Sequence, residues 1–274
     1  MKLPEHFSFN QQNLQDYVDC ARRFYLRHIV KQEWPAIESE PVLEQEALIA
    51  LGERFHRAVQ QYFAGIPAEA IEASLNDPDL LNWWQQFTRL DIQAVPGTKF
   101  SETAFTLPFE GYRLTAKYDL VIYQPGQQAL IYDWKTSQHE PKRKWLERRL
   151  QTRIYPFLLA RLAQQSNSGF SLTPDQIEMT YWYPAFPGTP VQFVYSQSQF
   201  ADDEGYLQNL IREILKLDEA GFTKTPNESL CKFCRYRSLC DRGVNAGDRN
   251  ESEELESDSD SAFDLDFDQI SPAD

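Results

Sequence analysis

No stretch of this chain approaches the roughly 18 consecutive apolar residues that a membrane-spanning helix needs, and its start lacks the apolar segment of a secretory leader. The expectation is a cytoplasmic protein with no membrane partner. A phosphate-cradling G-x-x-x-x-G-K-[ST] is also missing, which excludes a nucleotide-driven motor of that kind within the chain. Cysteine is scarce, four residues in 274, and a chain of that length buries enough core to need no covalent bracing. A disulfide framework is therefore not expected. Positive charge is in deficit as well, with 27 Lys and Arg against 41 Asp and Glu.

That deficit of −14 would argue against a polyanionic partner if it were spread evenly, but it is not. From Asp248 to Asp274 there are eleven acidic residues and one arginine, so the remainder of the chain carries only −4. Residues 1–243 read as one near-neutral folded domain and 244–274 as a disordered acidic tail of low complexity. Within the tail Phe263, Leu265 and Phe267 alternate with Asp264, Asp266 and Asp268. This is the pattern of an acidic docking strip, able to fill a basic groove or to hold a partner protein; a plain solubilising extension has the same composition.

The stretch AKYDLVIYQPGQQALIYDWKTS carries the densest chemistry. A three-residue loop Pro125-Gly126-Gln127 would set Gln124 opposite Gln128 and, stepping back along both strands, Asp119 opposite Asp133. Strand alternation then puts Lys135 on the face of both carboxylates and Trp134 on the other. Opposed aspartates repel unless a cation sits between them, so a divalent metal is the natural guest. Leu120, Ile122, Leu130, Tyr132 and Trp134 make one face apolar, and Val121, Tyr123, Ala129 and Ile131 make the other so. Both faces should be covered.

The cysteines form a second constellation, Cys231-x2-Cys234-x5-Cys240 with Cys20 far upstream. Cys-x2-Cys is a chelate spacing, and four thiolates suit tetrahedral zinc or a four-iron, four-sulfur cluster equally well.

Apolar spacing predicts helices over residues 10–30, carrying Cys20, and over Glu40 to Phe63, where Leu48, Leu51, Phe55, Val59 and Phe63 form a stripe beside His56. Residues 66–97, with Trp83, Trp84 and Phe87, read as a helical insertion without assignable chemistry. Strands are expected from Lys99 to Phe109, within Arg113 to Lys135, and as outer strands over Glu178 to Tyr183 and Val191 to Tyr195. An amphipathic helix follows over 203–219. The run Lys142-Arg143-Lys144-Trp145-Leu146-Glu147-Arg148-Arg149 opens a helical stretch that Pro156 should kink. Its basic residues Lys142, Arg143, Lys144, Arg148 and Arg149 suit phosphate contacts, with Trp145 able to stack on a base.

The order Asp119, then Asp133-x-Lys135, resembles the motif of PD-(D/E)XK nucleases. Gly52-Glu53-Arg54-Phe55-His56 looks like the G-x-x-x-H of the RecB-like branch, and Gln151-Thr152-Arg153-Ile154-Tyr155 like its Q-x-x-x-Y. Phe7-Ser8-Phe9 through Cys20-Ala21-Arg22-Arg23-Phe24-Tyr25 is similar to the start of RecB-like nucleases whose early and late cysteines clamp the chain ends through an iron-sulfur staple. The chain departs from the branch at Ala116, where a glycine is frequent, and at Ala21, where proline is usual. The resemblance spans roughly residues 8–243 and implies an α/β (α+β) fold with a central mixed sheet flanked by helices. It implies Mg²⁺ or Mn²⁺ held by His56, Asp119 and Asp133, with Lys135, Gln151 and Tyr155 completing the catalytic set, and a cluster on Cys20, Cys231, Cys234 and Cys240. The expected function is a DNA exonuclease favouring single strands or ends. Its setting would be repair, recombination or CRISPR adaptation, beside a repair, helicase or CRISPR partner. A noncatalytic DNA-end scaffold and a zinc-stapled interaction protein working through its tail are the alternatives.

Overall fold

The helix expected over residues 10–30 breaks at Cys20. In the computed structural model, which describes residues 3–4, 6–33, 40–137, 139–140, 142–165, 168–232 and 234–243, helix α1 (Gln11–Asp19) is opened by Asn10. The Asn10 side chain accepts from the Asn13 N–H, and the Asn13 side chain accepts from the Asn10 N–H. Cys20 is extended (φ −163°, ψ 107°); its N–H closes α1 on the Asp16 carbonyl, and its own carbonyl accepts from Phe24 to start α2 (Ala21–Phe24). A π-helical turn, Tyr25–Ile29, follows. The expected acidic tail lies outside the described residues.

The remaining elements are helices α3 (Glu40–Phe63), α4 (Ala68–Ser74) and α5 (Pro78–Thr88), then strands β2 (Thr98–Phe109), β3 (Tyr112–Gln124) and β4 (Gln128–Trp134). Helices α6 (Arg143–Leu146) and α7 (Leu150–Ala163), strands β5 (Ile177–Trp182) and β6 (Val191–Val194), and helix α8 (Gln197–Lys216) complete the order; a short first strand, β1, covers Ser8–Phe9. Contacts divide the chain into two compact units. One is drawn from the two chain ends and Pro108–Thr115, the other from Leu48–Leu107 and Ala116–Glu204.

In the central unit β3 and β4 pair antiparallel with Gln124 opposite Gln128 and Leu120 opposite Tyr132, the register that the short loop implies. Gly126 sits in that loop at φ 71°, a conformation that suits its missing β-carbon. Strand β5 runs parallel to β4 and β6 antiparallel to β5, so the sheet is mixed. Expected as an outer strand, β5 is internal, and β6 takes the edge. Leu120, Val121, Ile122, Ala129 and Ile131 are all fully buried, as strands covered on both faces require.

One wall of this core comes from the segment without assigned chemistry. Trp83, Trp84 and Phe87 of α5, Ile71 of α4 and Phe55, Ala58 and Val59 of α3 pack in one cluster with Leu120, Ile122, Trp134 and Trp182. Phe87 meets Trp134 edge to face at 5.4 Å between ring centroids. Helix α7 continues through Pro156 to Ala163.

In the other unit β1 pairs parallel with the start of β3, Ser8 opposite Arg113 and Phe9 opposite Leu114. Its interior is aromatic: Phe24 contacts Phe7, Tyr17 and Phe222, while the Tyr17 hydroxyl donates to Glu213 at 2.8 Å. No helix among the described residues is long and apolar enough to cross a membrane.

Candidate functional site

Every residue of the expected catalytic set falls in the central unit, and the fold brings the set together. Asp119 lies on β3, Asp133 on β4, Lys135 just beyond it, His56 on α3, and Gln151 and Tyr155 on α7. Lys135 Nζ is 2.8 Å from Asp133 Oδ2 and donates to Gln151 Oε1 at 3.0 Å, while Gln151 Nε2 donates to Asp133 Oδ1 at 2.5 Å. Asp119 Oδ2 accepts the Trp134 N–H at 2.7 Å, so the carboxylate is oriented by the backbone of the D-x-K triplet itself. Its Oδ1 lies 3.4 Å from His56 Nδ1.

Gly52, one helical turn before His56, allows α3 to come close. A β-carbon there would stand 2.5 Å from Thr136 Oγ1, directly after Lys135. The spacing of G-x-x-x-H thus has a steric basis: glycine and histidine share a helix face, and the bare position admits the strand end.

One participant was missed. Glu102, on β2, puts Oε1 3.7 Å from His56 Nδ1 and Oε2 2.5 Å from Lys117 Nζ. His56, Glu102 and Asp119 each offer a donor atom within 4.8 Å of the others. Nothing in the motif spacing marks Glu102; a lone acid in a strand that buries its neighbours was the available signal.

The electrostatics match a site built for positive charge. Burial alone would lower the His56 imidazole, but the Asp119 and Glu102 carboxylates beside it outweigh that and raise it to about 10. Burial would raise Asp119, yet the His56 charge, the Trp134 N–H and Lys135 hold it below the ordinary carboxylate range. Asp133 goes the other way: burial, opposed by Lys135 and reinforced by Asp119, pushes it up to about 6. An imidazole nitrogen and carboxylate oxygens are donors that suit Mg²⁺ or Mn²⁺, and a divalent cation held there would take the place of the proton that the carboxylates keep on His56.

Tyr155 is only 3% exposed, with its ring 4.7 Å from that of Tyr118 and its carbonyl accepting the Tyr118 hydroxyl at 2.8 Å. The basic run is divided in its contacts. Lys142, Arg143, Lys144 and Arg148 are exposed, but Arg143 already pairs with Glu147, donates to the Gln192 carbonyl and lies over Phe193. Arg149 lies over the half-buried Trp145 ring at 5.1 Å.

The four cysteines belong to the other unit and line one pocket, together with Arg23, Lys224, Tyr236, Arg237 and Arg242. The break at Cys20 is what delivers that thiol between α1 and α2. Burial pushes the Cys231 and Cys240 thiols up, and Cys234 up to about 11. Among the described residues no three of the sulfurs lie within 4.8 Å of one another, so no metal cluster is shown by the geometry. A single zinc with bonds of about 2.3 Å would need tetrahedral sulfurs roughly 3.8 Å apart.

A mixed sheet flanked by helices, carrying aspartates on two adjacent strands and a lysine just beyond the second, is the framework of a phosphodiester-cleaving class. Residues 8–241 match the model of the PD-(D/E)XK nuclease superfamily, and the chain belongs to that family. Two solved structures are similar. One, from Eubacterium rectale and provisionally named an exonuclease, is 11% identical with a TM-score of 0.53 over 86% of this chain and 93% of that one. The other, SSO0001, is 14% identical with a TM-score of 0.44 over 87% of this chain and 88% of that one. Among curated proteins none matches the sequence.

Proposed function

We propose that this chain is a metal-dependent deoxyribonuclease of the RecB-like branch, an exonuclease acting on single-stranded DNA or DNA ends in repair, recombination or CRISPR adaptation. The supporting observation is the Asp133–Lys135–Gln151 triangle, closed by contacts of 2.5 to 3.0 Å beside Asp119 and His56. Bound Mg²⁺ or Mn²⁺ would polarise a phosphate and acidify a water. His56, Asp119 and Asp133 are the residues to hold it. Lys135 orients the attacking water and offsets the charge that grows on the phosphate, and Gln151 fixes the lysine against Asp133 while it does so. Tyr155 acts through Gln151 as a positioning residue. Lys142, Arg143, Lys144, Arg148 and Arg149 neutralise the backbone, with Trp145 beside them. Strand separation would fall to a partner, a helicase, repair or CRISPR-adaptation protein.

To Cys20, Cys231, Cys234 and Cys240 we assign a four-iron, four-sulfur cluster in preference to zinc. The sulfurs line one pocket, yet among the described residues no three lie within 4.8 Å of one another, wider than a tetrahedral zinc requires, and Arg23, Lys224, Arg237 and Arg242 offset the negative charge of a thiolate-bound group of either kind.

The test is cleavage of end-labelled single- and double-stranded DNA with Mg²⁺ or Mn²⁺ by wild type and Asp133→Ala. Cutting by wild type alone supports the nuclease and reports its polarity. Equal binding with no cutting by either protein transfers the reading to a DNA-end scaffold, and loss of binding altogether removes the nucleic-acid assignment.

A further inference from the structure

We propose that Glu102 is a protein ligand to the divalent cation of this centre, with Lys117 as its counter-ion; the inference rests on the metal-centre reading above. Three observations carry it. The first is the backbone. Glu102 adopts φ 49° inside strand β2, a left-handed conformation that is strained for a residue with a β-carbon. Around it the burial of β2 loses its alternation: Lys99 to Thr103 are all half-buried, whereas Ala104 to Phe109 alternate. Irregularities of this kind re-aim a side chain and recur beside active sites.

The second is where the carboxylate is aimed. Oε1 is directed to His56 Nδ1 at 3.7 Å, in the same group of mutually close donors as Asp119, and Oε2 to Lys117 Nζ at 2.5 Å. Asp133 has one oxygen on Gln151 and the other beside Lys135, and it lies outside that group of mutually close donors. Glu102 thus adds a further oxygen donor beside His56 and Asp119.

The third is charge. A third carboxylate added alone would enlarge the negative field against an incoming phosphate. Glu102 arrives with Lys117, so the pair contributes a hard oxygen ligand and no net charge. Lys117 and Asp119 also lie two residues apart on β3, which keeps counter-ion and ligand on one element.

The experiment is calorimetric Mn²⁺ titration of wild type, Glu102→Gln, Glu102→Gly, Lys117→Met and Asp119→Asn, with a thermal melt of each metal-free protein. Gln keeps the shape of Glu and its backbone strain, and glycine accepts the left-handed backbone, so the two variants remove the carboxylate with the same chain path. The expected result is Mn²⁺ binding weaker by about 10- to 100-fold in both Glu102 variants and tighter than wild type in Lys117→Met, which frees Glu102 Oε2 of its counter-ion. Water-proton relaxation of bound Mn²⁺ should also rise in Glu102→Gly, because a water replaces the lost oxygen. Wild-type affinity in both Glu102 variants, with Asp119→Asn weakened, overturns the Glu102 assignment and leaves the centre intact. Equal weakening by Lys117→Met and Glu102→Gln overturns it too, since the pair would then only pin β2 to β3. Wild-type affinity in Asp119→Asn removes the metal centre itself.

Discussion

A β-carbon on Gly52 would meet Thr136 Oγ1 at 2.5 Å, closer than such contacts ever come. His56 follows Gly52 by one helical turn and Thr136 follows Lys135, so the clash would act on a metal-ligand candidate and on the lysine at once. Alanine is the better helix former by about 1 kcal/mol. Gly52→Ala should therefore leave the melting temperature nearly unchanged and lower cleavage by about 100-fold, the order expected for a displacement near 1 Å. Adding Thr136→Ala removes the opposing oxygen and should restore most of the rate. Multiplicative losses in the double variant would show that the two residues do not act through each other.

Gln151 donates to Asp133 and accepts from Lys135, which only an amide in this orientation can do. Gln151→Glu keeps the shape but sets a second acceptor against Asp133 Oδ1. The expected loss in kcat/KM is about 10- to 100-fold at unchanged DNA affinity. A variant with wild-type kcat/KM would reduce the triangle to packing.

How far the sequence could be read depended on whether a local rule governed each residue. The β3–β4 register was readable because a loop of fixed length leaves one pairing. His56, Asp119, Asp133 and Lys135 were readable because their chemistry needs fixed spacings on regular elements. Glu102 was not, since its aim depends on a left-handed φ that no glycine announces. Cys20 hid its helix break for the same reason: neither Gly nor Pro stands there. Trp83, Trp84 and Phe87 were visible as aromatics, but their role against Trp134 and Trp182 is a tertiary fact.

Asp16 gives the acid limb of stability a specific source. The carboxylate is 3% exposed and meets Arg23 Nε at 2.7 Å, His28 Nε2 at 2.7 Å and Arg27 Nη1 at 3.5 Å. Burial would raise it, but the His28 hydrogen bond and the Arg23, His28 and Arg27 charges together hold it below the usual carboxylate value. A depressed folded-state pKa contributes stability above the unfolded value, near 3.9, and that contribution is lost as pH falls through the folded value. Asp16→Asn should cost about 3 kcal/mol at pH 7, since it removes the buried carboxylate that Arg23, Arg27 and His28 share and leaves Arg23 only Asp19. Urea melts of both proteins should converge as pH drops below about 4. A gap independent of pH would assign the loss to packing.

Cys20 tests whether the two ends of the chain share one cluster. Its extended backbone places it in the pocket lined by Cys231, Cys234 and Cys240, and Arg23, which lines the same pocket, is tied back to Asp16 and Asp19. Serine has the same size and backbone preference at such a position but is a poor ligand to iron. Anaerobically purified wild type should be brown and carry about four iron atoms per chain. Cys20→Ser should lose most of that iron and lower the melting temperature, because metal ligation contributes directly to folding stability. Colourless, zinc-loaded wild type would refute the iron assignment. Iron retained in full by Cys20→Ser would confine the ligands to the late cysteines and end the idea that they clamp the amino-terminal helix.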